Sequence, residues 1–499
     1  MTEELKEEYQ VEADGVPANI EIVDLEDEYV LKYRVSRPEI PTATEAVLDD
    51  LKEKVVKQVK LSTEEFVDSK ALQDVKEKFT DEALDLLDEE LPETSEDTKR
   101  ILIGNLIHEM LGLGDLEILL DDENLEEMVV NGSDDSAWVY HKEYGWLRTN
   151  ITFRDEDEIY NYSSEIGRRV GKNISSLQPL LDAHLPSGDR TNATLYPIST
   201  QGNTITIRKF ARDPWTITDF IENGTIDKEV AAFLWLCLQY ELNVIVSGGT
   251  GAGKTSLLNV LMPFIPPNQR VLSIEDTREV SLPEFLHWVP LTTREPNPEG
   301  KGGVSMLDLL VNALRMRPDR ILVGEIRKKK QAEVLFEAMH TGHSVYSTLH
   351  ADTAEQTVRR LVNPPIDVPQ TMVDAVDVNV VMFRDRRRNF RRAMEVAEVT
   401  ENNEDELKAR VLYEWNSQND KTEKKRESEA IFETLKLHTG MTREEMDQNI
   451  EDKKKILEWM IENEVSTVDG VGSIVAEYYS EPEKIVKMAE EEEDPKELY

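Results

Sequence analysis

The chain has 499 residues, a formal net charge of −43 and 39% apolar residues. Its length and apolar content exclude global disorder and allow about three domains, and its acidity argues against nucleic acid as the main partner, since phosphate binding needs clustered Lys and Arg. A single cysteine, Cys237, excludes an internal disulfide and fits a reducing compartment.

Much of the charge lies near the two ends, so a pair of acidic tails and a surface adapted to a salty cytoplasm explain it equally well. Residues 1–10 are polar, without the apolar centre of a signal peptide. No apolar run approaches the roughly 20 residues of a membrane helix, so the expectation is a cytoplasmic protein that reaches a membrane through partners.

Residues 1–43 read as a loose acidic arm with one strand over 29–35, broken by Pro38 and Pro41. Leu48, Leu51, Val55 and Val59 recur at helical spacing. Ser62 and Glu65 fit a capping box opening a second helix. Ile103, Leu106, Ile107, Met110 and Leu111 line one face of a third. The first 114 residues are thus expected to form a mostly helical extension. From 115 to 212 the pattern becomes α+β, with short strands at 128–131, 137–140 and 146–153 and turns at Asn131-Gly132 and Tyr144-Gly145. A helix over 155–170 follows. A Pro186-Ser187-Gly188-Asp189 turn then joins two strands, the second opening near Arg190, and a strand over 204–210 carries Arg208. Asp213-Pro214 and Asn223-Gly224 mark a linker over 213–227.

An apolar helix over 227–239 follows, with Cys237 as a small core residue. The apolar, β-branched run 243–246 then predicts a buried strand leading into Gly248, Gly249, Thr250, Gly251, Ala252, Gly253, Lys254 and Thr255, with a helix opening at Ser256. A strand, a G-x-x-x-x-G-K-T loop and a helix make a phosphate-binding loop. Its backbone N–H groups and helix terminus cradle phosphate oxygens. Lys254 is expected at the β- and γ-phosphates of ATP and the Thr255 hydroxyl on Mg²⁺. Strands over 270–275 and 320–324 alternate with helices over 306–314 and 331–339, which predicts a parallel sheet covered on both faces. The first strand ends in Glu275-Asp276 and the second leads into Gly324-Glu325. Acids at the carboxyl ends of parallel strands sit where open α/β sheets bind ligands, so these are candidates for holding Mg²⁺ and orienting water. The basic run 382–392 reads as a solvated β-hairpin, with a docking surface for an acidic partner or lipid head groups as the sharper alternative. His340, His343 and His350 lack a convincing metal-ligand geometry. Residues 401–499 return to acidic helices. Thr442 and Glu445 make a capping box, and the acid run 490–494 is expected to fray.

Taken in order, four motifs resemble the type II/type IV secretion-system ATPases, in the archaeal branch serving type IV pili and the archaellum. They are the phosphate loop 248–255, an acidic box at 274–279, a Walker B motif with Gly324-Glu325, and a histidine box at 341–351. The segments 185–192 and 206–210 fit the family's preceding domain, and the resemblance spans roughly 115–400. It implies a RecA-like α/β domain over 228–400 behind the α+β domain. It further implies Glu275 as the base that positions water, Glu325 on Mg²⁺ or that water, and His350, with His343 second to it, coupling the γ-phosphate to the domain. Arg190 and Arg208 would close on the phosphates as arginine fingers, and Arg278 or Arg294 would act at a subunit boundary. Lys328-Lys329-Lys330 departs from the bacterial pattern of an acid or glycine. By resemblance the chain forms a homo-hexamer at the cytoplasmic face of a membrane. There it would drive a polytopic platform protein that adds pilin-like subunits to a filament, with no direct nucleic acid contact. An archaellum motor and a conjugation or DNA-uptake ATPase are the alternatives within the enzyme class, and a non-catalytic P-loop scaffold is the alternative outside it.

Overall fold

In a computed structural model, residues 3–38, 40–58, 69–185, 187–210, 214–294, 296, 300–388, 390–401 and 407–499 are described, and the chain divides into two units, 1–212 and 213–499. The capping box expected at Ser62 and Glu65 lies outside the described residues.

The first unit is built on a nine-stranded sheet. Its strands in chain order are β1 (Glu3–Ala13), β2 (Val16–Leu25), β3 (Lys32–Ser36), β4 (Leu125–Val130), β5 (Trp138–His141), β6 (Gly145–Thr149), β7 (Leu180–His184), β8 (Arg190–Thr194) and β9 (Thr204–Arg208). The spatial order is β1-β2-β3-β6-β5-β4-β9-β8-β7, with β3 and β6 the parallel pair and the other neighbours antiparallel. The strand expected over 29–35 is present as β3, and the rest of the expected loose arm is corrected to two further strands, β1 and β2. Residues 16–25 alternate buried and partly exposed positions, which suits a strand with one covered face. The hydroxyls of Tyr9 and Tyr33 both donate to the buried Asp122, at 2.7 and 2.5 Å, and tie β1 and β3 to the segment before β4. Helices Thr42–Gln58, Ser69–Glu90 and Glu96–Met110 pack on one another through Leu51, Phe79, Leu87 and Leu106.

The second unit carries another nine-stranded sheet. Its strands are β10 (Val244–Gly248), β11 (Arg270–Glu275), β12 (His287–Thr292), β13 (Arg320–Val323), β14 (Ser344–Leu349), β15 (Val378–Asp385), β16 (Phe390–Glu401), β17 (Leu407–Asn416) and β18 (Lys421–Lys424). The order is β12-β11-β13-β14-β10-β15-β16-β17-β18, parallel from β12 through β15 and antiparallel beyond. This is a RecA-like arrangement, with the phosphate-loop strand β10 between β14 and β15. Every residue of β10, β13 and β14 is buried, as expected of strands covered on both faces.

Helix Lys228–Gln239 is buried on all sides from Val230 to Leu238, so it is a central helix rather than a surface one. Trp235 stacks flat on Phe264, centroids 4.8 Å apart, and its Nε1 donates to the Tyr479 hydroxyl at 2.8 Å. Helices Arg443–Glu462, Val468–Ser480 and Pro482–Glu490 share this core through Trp459, Ile474 and Ile485. Two expectations for the tail are corrected here. Residues 407–424 are strands that extend the sheet, and the final acid run is held, because Trp459 Nε1 donates to the Glu493 carbonyl at 2.7 Å.

Candidate functional site

The carboxyl ends of β10, β11, β13 and β14 come level through backbone pairing. Ile274 lies beside Val323, Val323 beside Ser347, and Val246 beside Thr348. Beyond these ends the Gly324 N–H donates to the Ile274 carbonyl at 2.9 Å, and the Thr348 hydroxyl to the Gly324 carbonyl at 2.6 Å. The pairing thereby delivers Glu275, Glu325 and His350 to one edge, next to the loop that follows β10.

That loop enters helix Lys254–Leu261 through Gly251 and Gly253, whose φ angles of +71° and +90° fall in the left-handed region that side chains disfavour. Lys254 Nζ donates to the Gly249 carbonyl at 3.0 Å and meets His350 Nδ1 at 3.2 Å. An ammonium has no acceptor, so Nδ1 is the acceptor and the imidazole proton sits on Nε2. That Nε2 faces Glu325 Oε1 at 3.1 Å. The other Glu325 oxygen receives Arg327 Nε at 2.7 Å, and Arg327 Nη1 reaches Asp276 at 2.7 Å. A continuous polar chain thus runs from the acidic box through Arg327, Glu325 and His350 to the phosphate-loop lysine. Burial pushes the Lys254 ammonium below its usual range, against the opposing pull of Glu325, Asp352 and Glu279.

Glu275 is 2% exposed. Its Oε1 accepts from the N–H groups of Glu279 and Val280 at 2.9 and 3.2 Å, while Oε2 is buried without a hydrogen bond in the chain. Burial pushes its carboxyl up to about 7, although the two backbone N–H groups favour the carboxylate. A carboxyl that titrates near neutrality, with one oxygen uncommitted at a strand end, is chemically suited to take a proton from water.

The remaining predicted residues divide into groups. Thr255 and Ser256 lie in the first turn of the helix after the loop, beside Lys254. His343 turns away to Thr341 and the Ala338 carbonyl, and His340 to Asp374, so neither joins His350. Arg278 lies over the Trp288 ring at 4.8 Å, and Arg294 Nε donates to the Gly302 carbonyl at 2.6 Å. In the first unit Arg190 and Arg208 are direct cross-strand partners on β8 and β9, both exposed, with Arg190 held by Asp182 at 2.8 and 3.2 Å. The basic hairpin exists, formed by β15 and β16, but it is not simply solvated. Arg391 Nε donates to the Gly251 carbonyl at 3.3 Å. Sequence reading missed these contacts, and also Asp352, whose carboxylate lies 3.5 Å from where a Cβ on Gly249 would stand. Two positions past His350, Asp352 was within reach of the histidine-box reading; the basic run marked the hairpin arginines as a surface, but nothing local pointed them at the phosphate loop.

The residues fit the expected Mg²⁺. Among the described residues no three His, Cys, Asp or Glu side chains are grouped to hold a metal. Magnesium, however, is held through one or two hard oxygen ligands together with the phosphates and water. Thr255 would supply a hydroxyl and Glu325 a carboxylate of that kind, the latter shared with His350 and Arg327. No helix of the described residues is long and apolar enough to cross a membrane.

The family profile described as Type II/IV secretion system protein matches residues 109–473. The protein MJ0900 of Methanocaldococcus jannaschii is 37% identical over 384 residues, 75% of this chain and 69% of that one. The type IV secretion system protein PtlH of Bordetella pertussis is 31% identical over 301 residues, 54% of this chain and 87% of its own length. Among solved structures, the VirB11 ATPase from the Brucella suis type IV secretion system, in complex with sulphate, is 27% identical. That match covers 56% of this chain and 90% of that one, with a TM-score of 0.29.

Proposed function

The chain belongs to the type II/IV secretion system protein family, and from that premise we propose that it hydrolyses ATP and converts the cycle into motion of its first unit against its second. The observation that carries this reading is the direct link from Lys254 through His350 to Glu325, next to a buried Glu275 with an uncommitted oxygen. In this reading the loop 248–255 binds the phosphates, and Glu275 orients a water and accepts its proton. Water oxygen bonds to the γ-phosphorus as the bond to the β,γ-bridging oxygen breaks, and ADP leaves with that electron pair. Bound Mg²⁺, on Thr255 and Glu325, would neutralise charge on the β- and γ-phosphates. In the same reading His350 reports the γ-phosphate, since Lys254, now against its Nδ1, would leave His350 or share it when phosphate arrives. Arg190 and Arg208 stabilise charge that develops on the transferring phosphoryl group.

We further propose that a homo-hexamer of this chain works at the cytoplasmic face of a membrane, on a polytopic platform protein that assembles pilin-like subunits. An archaellum motor and a conjugation or DNA-uptake ATPase would use the same site. Deletion of the gene separates the three by which is lost: filaments, swimming or DNA transfer.

A steady-state assay tests the chemistry. Glu275→Gln is expected to lower Mg²⁺-dependent turnover by about a thousandfold while ATP still binds, the loss of a positioned base together with the water it holds. Lys254→Ala should weaken nucleotide binding itself, and Arg190→Ala and Arg208→Ala should lower turnover with binding retained. Full turnover in Glu275→Gln would remove it as the base.

A further inference from the structure

The two sides of the phosphate loop are furnished differently. On the β14 side stand Lys254, His350, Glu325 and Glu275, the groups suited to the terminal phosphates. On the β15 side stands the hairpin. Gly248 of β10 pairs with Met382 of β15, and two residues further along β15 carries Arg384. Arg384 pairs directly with Arg391 of β16, so both side chains leave the same face of the sheet. Both reach the loop. Arg384 Nη1 stands 2.7 Å from where a Cβ on Gly251 would lie, and Arg391 Cδ 3.2 Å from the corresponding point on Gly253. Arg391 Nε also donates to the Gly251 carbonyl at 3.3 Å. The hairpin turn is itself pinned, since Asp385 Oδ1 accepts from the N–H groups of Arg387 and Arg388 at 2.8 and 3.1 Å.

Like charges directly opposite on a sheet repel, yet both arginines converge on a loop whose backbone N–H groups cradle the α- and β-phosphates. With the γ-phosphate at Lys254 and Glu275 on the β14 side of the loop, the other end of a nucleotide would lie on the β15 side. We propose that Arg384 and Arg391 form a cationic clamp, supplied by the same subunit, on the α-phosphate of the bound nucleotide. The clamp rests on the reading of 248–255 as a nucleotide site. It differs in kind from Arg190 and Arg208. It holds ATP and ADP alike, so it sets affinity and keeps product on the enzyme rather than lowering the barrier to hydrolysis. Glycine at 251 and 253 keeps this space open, because a Cβ at Gly251 would stand 2.7 Å from Arg384 Nη1 and one at Gly253 would press on the Arg391 Cδ at 3.2 Å.

Titration calorimetry of the full chain with Mg-ADP and with inorganic pyrophosphate tests the clamp. Arg384→Gln and Arg391→Gln should each raise the Kd for ADP about tenfold, the scale of one lost charge-assisted hydrogen bond. The KM for ATP should rise in parallel and carry most of the fall in kcat/KM. Pyrophosphate, which has no nucleoside-bearing phosphate, should bind within about twofold of wild type on the same scale. Arg384→Lys and Arg391→Lys keep the charge and should recover part of the ADP affinity, which a merely misfolded hairpin would not allow. An equal loss for ADP and pyrophosphate, unchanged ADP affinity, or no recovery in the lysine variants would overturn the clamp. A wild-type chain that binds no ADP would instead overturn the nucleotide site itself.

Discussion

Glu275 shows how one buried carboxyl links stability to chemistry. Its folded pKa, about 7, lies above the ordinary carboxyl value of 4.5. The proton it holds therefore stabilises the fold fully below about pH 4.5, and that contribution is lost as pH rises through about 7. A glutamine keeps an oxygen for the Glu279 and Val280 N–H groups and has no charge to bury. Urea denaturation of the nucleotide-free chain should find Glu275→Gln more stable than wild type by about 2–3 kcal/mol at pH 8, and nearly equal to it at pH 4. Equal stability at both values would mean that the carboxyl is ionised and solvated. The predicted gap at pH 8 would show that Glu275 carries a cost in the resting chain that only function explains.

Elements of the second unit are joined by side chains that one element lends another. Helix Ala430–Thr439 has no cap of its own, since Glu429 at its N-cap position makes no side-chain hydrogen bond. The cap comes from β16. The fully buried Glu398 accepts from the Ser428 hydroxyl at 2.6 Å and from the N–H groups of Ala430 and Glu429 at 3.2 and 3.4 Å. Arg410 of β17 stands 3.5 Å from the same carboxylate. A helix terminus and two strands therefore meet on one acid. Glu398→Ala should cost about 2–4 kcal/mol in urea denaturation, because it removes a charged cap and strands a buried hydroxyl. Glu398→Gln, which keeps an acceptor, should cost less than half as much. No difference between the two variants would mean that burial of the side chain, not the cap, holds the helix.

At the scale of the whole molecule the net charge of −43 governs association. Subunits of a ring repel one another over the Debye length, about 30 Å at 0.01 M salt and 10 Å at 0.1 M. Added salt should therefore strengthen a nucleotide-promoted hexamer until the specific ion pairs are screened as well. Light scattering with a non-hydrolysable ATP analogue should show hexamer rising and then falling across a salt series. A species that stays monomeric at every salt and nucleotide concentration would sink the ring, and with it the proposed route from hydrolysis to filament assembly.

What the sequence determined by itself is local. The phosphate loop, the two acid-ended strands, the Thr442–Glu445 capping box and the hairpin that pairs His184 with Arg190 each lie within a few residues, where backbone sterics and short hydrogen bonds decide. The tail's capping box forms as read, with Thr442 and Glu445 exchanging hydrogen bonds at 2.7 and 3.2 Å. What only the tertiary structure decided depends on which distant strands pair. Residues 3–25 alternate weakly beneath a heavy acidic load, and become strands because an established sheet offers them an edge and Asp122 an anchor. The closing helices look like an acidic tail but supply core, since their apolar stripe meets a central helix more than 200 residues upstream, where Lys228 pairs with Glu458. Arg384 and Arg391 read as a solvated run because charge marks a surface without saying which surface it faces. The parallel pairing of β10 with β15 turns that surface toward the phosphate loop.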